Sequence, residues 1–480
     1  MKGFTRNIKP LEILTDEQIS SIHRGTLKVL ERTGLRFEHE KALEVFENAG
    51  CQVDHDSKRV RFPIHLVEES LRKCPNSFHV TAREPKNDVM IGGNTTYFCT
   101  FPGMETVDLN TWEPRLPTKS EYDEGVRVLD ALDNLHIFSC YAPYFGFKGV
   151  PEVMRIPEGL ARRVRYSSKT GHTSYANDAD IFNIKIAKAV RMETMGIVNP
   201  SPPLTYYKDA IESAFRYSEA GFPVIVGSAP AYGATGPATI AGSTITDNAE
   251  LIAGIVLIQL VSPGTRVVAS DYAFPLDMRS GSPAFGAIGI SLHTVIFNQI
   301  WRNYKVPVLN TISVSSSKEI DFQCGYERAM YALLGALSGG HMITLHGGIY
   351  GEITYHPVLS ILDDDIAGMI GRFLEGVEVN DETLALDLID EVGPIPGHYL
   401  NKEHTRKWWK KEQFIPKVAD RLTYPEWMRR GKKIALDYAK ERMDDILATH
   451  KPTPLPQDQS EELEKILEEA REYYKGRGMI

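Results

Sequence analysis

The chain has 480 residues, 42% of them hydrophobic and 24% charged, with a formal net charge of −9. That balance excludes a disordered polypeptide and has the wrong sign for a nucleic-acid footprint or attachment to an anionic membrane, both of which want a basic surface. Five scattered cysteines without a CxxC pair fit reduced thiols, and no apolar leader follows the first methionine, so a cytoplasmic protein is expected.

Thr15 and Gln18 have the spacing of a capping box, and Gly34 sits where a helix would stop. A second helix is predicted from His39 to Asn48, ended by Gly50, then a small hairpin over Cys51 to Phe62 and another helix from Pro63 to Arg72. These elements make residues 1–92 an N-terminal helical and hairpin extension.

From about Thr95 onward, short apolar strands alternate with amphipathic helices. Eight strands are predicted: Thr95–Phe101, His136–Tyr141, Thr173–Ala176, Leu204–Tyr207, Val224–Ala229, Arg266–Tyr272, Val308–Val314 and Met342–His346. Helical patterns at Lys119–Leu132, Asp178–Met195, Tyr207–Ala220, Asp247–Val261 and Asp321–Ser338 fill gaps between them. The fold class is therefore α/β, a (β/α)8 TIM barrel over residues 93–376; a doubly wound sheet is the alternative, but no GxGxxG follows the first strand. The longest apolar run, Leu251 to Val261, is too short to span a bilayer and is broken by Gln259.

A helix is predicted from Asp363 to Glu375, then a loop through Gly393-Pro-Ile-Pro-Gly397 and two charged helices, Tyr424–Ala448 and Ser460–Tyr474. Residues 377–480 thus read as a C-terminal helical arm, suited to building a homo-oligomer.

In a barrel of this kind the chemistry lies at the C-terminal ends of the strands. There the chain is rich in aromatics, and the run Met342-Ile-Thr-Leu-His-Gly-Gly-Ile-Tyr-Gly-Glu352 ends a strand abruptly in a histidine and paired glycines. Aromatic faces attract cations, choline-like ammonium groups above all, at about 0.5 to 2 kcal/mol per contact. Tyr97, Phe101, Tyr141, Tyr144, Tyr175, Tyr206, Tyr272 and Tyr350 are the cage candidates, with His346 as the polar catalytic candidate and Arg279 as a carboxylate donor. Packing is the competing reading for each ring, and a structural hydrogen bond for His346.

No HExxH, His-x-His or cysteine cluster is present, so no intrinsic metal is expected. Asp363, Asp364 and Asp365 suit an acidic helix start, and Gly233-Ala-Thr-Gly-Pro-Ala238 reads either as a loop that cradles an anion such as a substrate carboxylate, though without a P-loop lysine, or as an element of loop geometry.

Four segments carry a family resemblance. Ser315-Ser-Ser-Lys-Glu-Ile-Asp-Phe-Gln-Cys-Gly-Tyr-Glu-Arg328, the Asp363-Asp-Asp-Ile366 run with Phe373-Leu-Glu-Gly-Val-Glu-Val-Asn-Asp-Glu-Thr-Leu-Ala385, and Gly397-His-Tyr-Leu-Asn-Lys-Glu-His-Thr405 together resemble the trimethylamine methyltransferase superfamily. The resemblance implies a barrel enzyme that moves a methyl group from an amine to the Co(I) of a corrinoid carried by a separate protein. Founding members carry pyrrolysine near the end of strand seven, whereas Leu309–Lys318 here holds only standard residues. Relatives without it resemble enzymes that demethylate quaternary amines. Glycine betaine is the favoured substrate, with proline betaine, carnitine and γ-butyrobetaine as alternatives. A Schiff-base lyase would want a lysine inside a strand end, where none is predicted, and a non-catalytic betaine-binding barrel is the reading from another class.

Overall fold

The computed structural model describes residues 2–480. Seven parallel strands form one curled sheet: β1 (Thr95–Thr100), β3 (Gly171–Thr173), β4 (Thr194–Val198), β5 (Val224–Ser228), β6 (Val267–Asp271), β7 (Val308–Asn310) and β8 (Met342–His346). Residues 137 and 138, here β2, lie between β1 and β3 and make one parallel bridge to each, Cys99 with Ile137 and Phe138 with Gly171. The eighth strand of the hydrogen-bonded sheet is Phe4–Thr5, antiparallel on the outer side of β1.

A helix follows every parallel strand: α1 (Lys119–Ala131), α2 (Arg155–Tyr166), α3 (Ala179–Ala189), α4 (Lys208–Ala220), α5 (Ile240–Val261), α6 (Ile288–Tyr304), α7 (Phe322–Leu337) and α8 (Pro357–Leu374). Apolar side chains point both ways from the strands. Tyr97, Cys99, Ile225, Val268 and Met342 fill the interior near the N-terminal ends, while Phe98, Ile343 and Leu345 pack outward against α7 and α8. This two-sided burial is why the strands read as continuous apolar runs rather than alternating ones.

One predicted strand is corrected. Leu204–Tyr207 contributes only Thr205–Tyr206, which pairs with Leu35–Phe37 in a separate small sheet, and the fourth parallel strand is β4 instead. Helix α3 stops at Ala189 rather than running to Met195, because Arg191 takes a left-handed backbone (φ 56°) and turns the chain into β4. The five-residue Thr194-Met-Gly-Ile-Val198 is too short for its own periodicity to stand out from the helix before it.

The predicted Asp363 helix start is also corrected. Helix α8 begins at Pro357 behind the His356 cap, so the three aspartates lie within it, where macrodipole stabilisation is not their role. The run Leu251–Val261 is the second half of α5, whose 22 residues are long and apolar enough to cross a membrane, but 78% of its apolar window is buried inside the protein. The single helix predicted at Tyr424–Ala448 is two, Tyr424–Arg429 and Ala435–Thr449, parted at Gly431 where φ is 87°.

The Thr15–Gln18 capping box forms as predicted, and the hairpin pairs Gln52–Asp54 with Arg59–Arg61. A second hairpin, Ser77–Val80 with Val89–Gly92, packs under the N-terminal ends of the strands. The opposite end is thereby the accessible one.

Candidate active site

A cavity of about 280 Å³ opens among the C-terminal ends of the parallel strands. It lies at the small end of ligand pockets, room for a compact molecule rather than a nucleotide. Its walls hold Phe101 after β1, Ser139, Cys140, Tyr141 and Phe145 after β2, His172 of β3, Asn199 after β4, Ser228 of β5, Ser270 of β6 with Tyr272 after it, Thr311 after β7, and Thr344 and Glu352 from β8 and its exit loop.

The exit loop of β8 explains the glycines of its motif. Gly347, Gly348, Tyr350 and Gly351 all take positive φ, between 49° and 113°. A Cβ at Gly347 would stand 2.5 Å from the Phe101 carbonyl oxygen, and one at Gly351 would stand 2.6 Å from the Phe285 ring. Only glycine meets both demands at those positions. The turn returns the chain over the strand ends, where the Met104 N–H donates to the Glu352 carbonyl at 2.8 Å and the Glu352 side chain enters the cavity wall.

Burial pushes the Glu352 carboxyl above its usual range, opposed by the Tyr272 hydroxyl that donates to it. Tyr272 is itself pushed up, by burial and then by the Glu352 charge. The Tyr272 and Phe101 rings lie nearly parallel, 12° apart in plane with centroids at 6.4 Å. Across the cavity Tyr141 stacks on Phe145 at 4.2 Å and donates to the Ser174 hydroxyl at 2.7 Å. Tyr141 is held at φ 65°, an unfavourable backbone for a bulky residue, and so turns its ring at the end of β2. The Cys140 thiol is pushed up to about 12 by burial and the nearby Glu352 charge, so it stays protonated and is a poor nucleophile.

The β3 side has the opposite polarity. The Cys140 backbone N–H donates to His172 Nδ1 at 3.1 Å, which places the ring proton on Nε2. Burial first, then the neighbouring Arg163 charge, hold the His172 pKa down at about 3, so the ring is neutral. Its Nε2 makes no hydrogen bond among the described residues. Arg163 is fully buried behind it, spending Nη1 on the carbonyls of Ser139 and His172 at 3.1 and 3.2 Å, while Nε and Nη2 make no hydrogen bond among the described residues. Glu352 thus stands in the cavity wall on its β6 side and His172 in the wall on its β3 side, the latter with a buried, unpartnered Nε2–H backed by a guanidinium.

Of the residues singled out from sequence, Phe101, Tyr141 and Tyr272 line this cavity. His346 does not. Strand alternation would turn it inward beside Thr344, but a bulge between the two residues flips it to the outer face, where Nε2 meets Asp364 at 3.4 Å. Tyr97 lies near the floor, its hydroxyl accepting from the Met90 N–H at 3.0 Å. Tyr144 packs outside the strand ends against Tyr355 and donates to Thr106 at 3.1 Å.

Tyr206 stacks on Phe37 at 5.0 Å in the N-terminal layer, and Tyr175 packs against the same cluster. Arg279, 91% exposed, is tied to Asp277 at 2.8 Å in a surface turn. Tyr350 lies beneath Lys318, whose Nζ is 4.3 Å from the ring centroid. The anion-cradle reading of Gly233–Ala238 fails locally: the segment is a tight turn in which Thr235 accepts from the Ala231 N–H, and the following helix is capped by the Thr239 side chain.

Sequence reasoning missed Glu352 as a site residue although the strand motif ends on it; the signal was a carboxylate just beyond three glycines. His172, Asn199 and the serines had no comparable signal.

The model of the trimethylamine methyltransferase (MTTB) family matches residues 1–473. A glycine betaine methyltransferase of Desulfitobacterium hafniense (strain Y51) is 32% identical over 463 residues, covering 92% of this chain and 94% of that protein. The trimethylamine methyltransferase MttB of Desulfitobacterium hafniense (strain DSM 10664 / DCB-2) is 30% identical over 474 residues, 96% of this chain and 94% of its own length. MttB of Methanosarcina barkeri is 26% identical over 485 residues, with coverage of 97% and 96%. Among solved structures, the Methanosarcina barkeri monomethylamine methyltransferase MtmB superposes with a TM-score of 0.50 at 13% identity, over 96% of this chain and 93% of that one, a likeness of fold.

Proposed function

We propose, for a chain that belongs to the trimethylamine methyltransferase family, that this methyltransferase takes a methyl group from a quaternary amine bearing a carboxylate, glycine betaine first, and delivers it to Co(I) of a corrinoid on a partner protein. The corrinoid is the methyl acceptor and is a second substrate.

One observation supports the reading: one small cavity is lined by Glu352 with Phe101 and Tyr272, by Tyr141 and Phe145 across from them, and by His172, whose unpartnered Nε2–H is backed by Arg163. A quaternary ammonium has no N–H to donate and is held by ring faces and a counter-charge, at about 0.5 to 2 kcal/mol per ring. A carboxylate on the same molecule is served by the His172 donor. A zwitterion fits both ends, whereas trimethylamine leaves the β3 donor without a partner, which is costly in a desolvated site.

In the reaction the Co(I) electron pair attacks one N-methyl carbon in line with the C–N bond. That bond breaks with its electrons staying on nitrogen, which leaves as a neutral tertiary amine. The leaving group carries its positive charge before reaction, so no general acid is required, and none of the cavity side chains need change protonation. The protein's part is to hold the ammonium, orient one methyl toward the open end and keep water out.

The same reading takes residues 93–376 as a (β/α)8 catalytic barrel, 1–92 and 377–480 as its helical additions, and the chain as a cytoplasmic homo-oligomer whose partner docks over the strand ends.

The test is calorimetric binding of glycine betaine, proline betaine, carnitine, γ-butyrobetaine and trimethylamine, followed by methylation of a reduced corrinoid protein or free cob(I)alamin. Saturable binding of a betaine with formation of methyl-cobalt is the expected result. Binding without methylation would favour the betaine-binding barrel instead.

A further inference from the structure

Behind the cavity wall, in the layer between the sheet and the helices, lies a second polar cluster that the methyl-transfer site does not use. Asp271 ends β6, Asp247 lies on α5 and His293 on α6, and none is more than 1% exposed. One ligand atom from each falls within 4.8 Å of the other two.

The hydrogen bonds assign roles. Asp271 Oδ1 accepts from the Ala273 N–H at 3.2 Å and lies 3.0 Å from His293 Nδ1, and its Oδ2 accepts from the Thr294 hydroxyl at 2.6 Å. Asp271 is saturated with donors and fixes the histidine proton on Nδ1, leaving a lone pair on Nε2. That Nε2 and the buried Tyr232 hydroxyl make no hydrogen bond among the described residues, and the Ser228 hydroxyl beside Asp247 gives its proton to Glu250, which leaves the Asp247 carboxylate without a donor among them. The Tyr232 and His293 rings are 5.8 Å apart, so the unpartnered atoms belong to one neighbourhood.

His293 Nε2 and Asp247 Oδ2 are 3.9 Å apart. This is too long for a hydrogen bond, but it is a separation that two ligands each about 2.0–2.2 Å from one ion can span. A carboxylate buried at Asp247 without a counter-charge is unfavourable, and a cation held between it and His293 Nε2 supplies that charge.

We infer that Asp247 and His293 bind a divalent transition-metal cation of the Zn²⁺, Mn²⁺, Fe²⁺ or Co²⁺ type, with Asp271 orienting the histidine and the Tyr232 hydroxyl closing the site. Mixed imidazole and carboxylate donors suit that class. The cation fastens α5 and α6 to the end of β6, immediately before Tyr272. Its role is structural, and it departs from the sequence expectation of a chain without an intrinsic metal.

The test uses full-length protein purified without chelator and analysed for bound metals, then divided into EDTA-stripped, Zn²⁺-loaded and Co²⁺-loaded portions. About one equivalent per chain, visible d–d absorption with Co²⁺ and a higher Tm in the loaded than in the stripped protein are expected, all lost in Asp247→Asn and His293→Gln. Asp271→Asn is expected to weaken Co²⁺ binding about 10- to 100-fold without abolishing it. Circular dichroism checks that each variant folds, and the wild-type stripping experiment decides where one does not. Folded wild-type protein with no bound metal, no Co²⁺ absorption and the same Tm before and after EDTA overturns the site. None of these readouts depends on methyl transfer.

Discussion

Arg328 and Asp363 meet through two hydrogen bonds, Nε to Oδ1 at 3.1 Å and Nη2 to Oδ2 at 2.6 Å, and both side chains are 0% exposed. The pair grips the start of the β8 exit loop: Arg328 Nη1 donates to the Gly348 carbonyl at 2.9 Å, Nη2 donates to the Leu345 carbonyl, and the Gly347 N–H donates to Asp363 Oδ2 at 3.0 Å. It thus positions the loop that carries Glu352, from outside the cavity.

Removing one partner leaves the other charge buried alone, at about 3–5 kcal/mol. Arg328→Met and Asp363→Asn are expected to lower the urea midpoint by a matching amount and to raise KM for the amine more than they lower kcat. An Arg328→Met enzyme with native stability would remove the clamp from the account.

Inside the cavity, Glu352→Gln keeps shape and deletes charge. Losing a charged partner worth about 1.5–3 kcal/mol should weaken quaternary-amine binding roughly 10- to 100-fold, read by calorimetry. Phe101→Leu, Tyr141→Leu and Tyr272→Leu should each cost about 2- to 30-fold, from 0.5–2 kcal/mol per ring. His172→Phe should weaken glycine betaine while sparing a quaternary amine without a carboxylate, such as tetramethylammonium; equal losses for both would refute the division of the cavity into two ends.

His346→Ala and Tyr206→Phe form the control set. His346 faces Asp364, and the Tyr206 hydroxyl donates to the Glu250 carbonyl at 2.9 Å, so both act in packing layers outside the cavity. Each variant should lose stability, by about 1–3 kcal/mol for an unsatisfied buried partner, and keep its KM. A large KM change in either would show that the cavity is not where the amine binds.

Acid should unfold the protein from an early pH. Burial holds the folded pKa of His136 and of His172 down at about 3 and that of His341 at about 4, against about 6.5 for an unfolded histidine. Between those values the unfolded chain binds protons that the folded chain refuses, so stability is full above about pH 6.5 and falls as pH drops toward 4. Urea midpoints between pH 7.5 and 4.5 should decline steadily. A flat profile across that range would mean that these histidines titrate as freely in the folded protein as in the unfolded chain.

The sequence by itself determined the alternation of strands and helices, most strand positions from Thr95 to His346, the family and the aromatic richness of the strand ends. These rest on local signals: apolar runs, capping residues, glycine punctuation and motif identity. Only the tertiary structure decided which strand-end residues meet. The bulge that turns His346 outward, the left-handed turns that bring Glu352 over the strand ends, the assignment of β4 and the pairing of His172 with the Cys140 N–H are settled by distant neighbours. One residue of register sends a strand side chain to the opposite face, and nothing within a few positions of His346 or Tyr206 announces which face each will take.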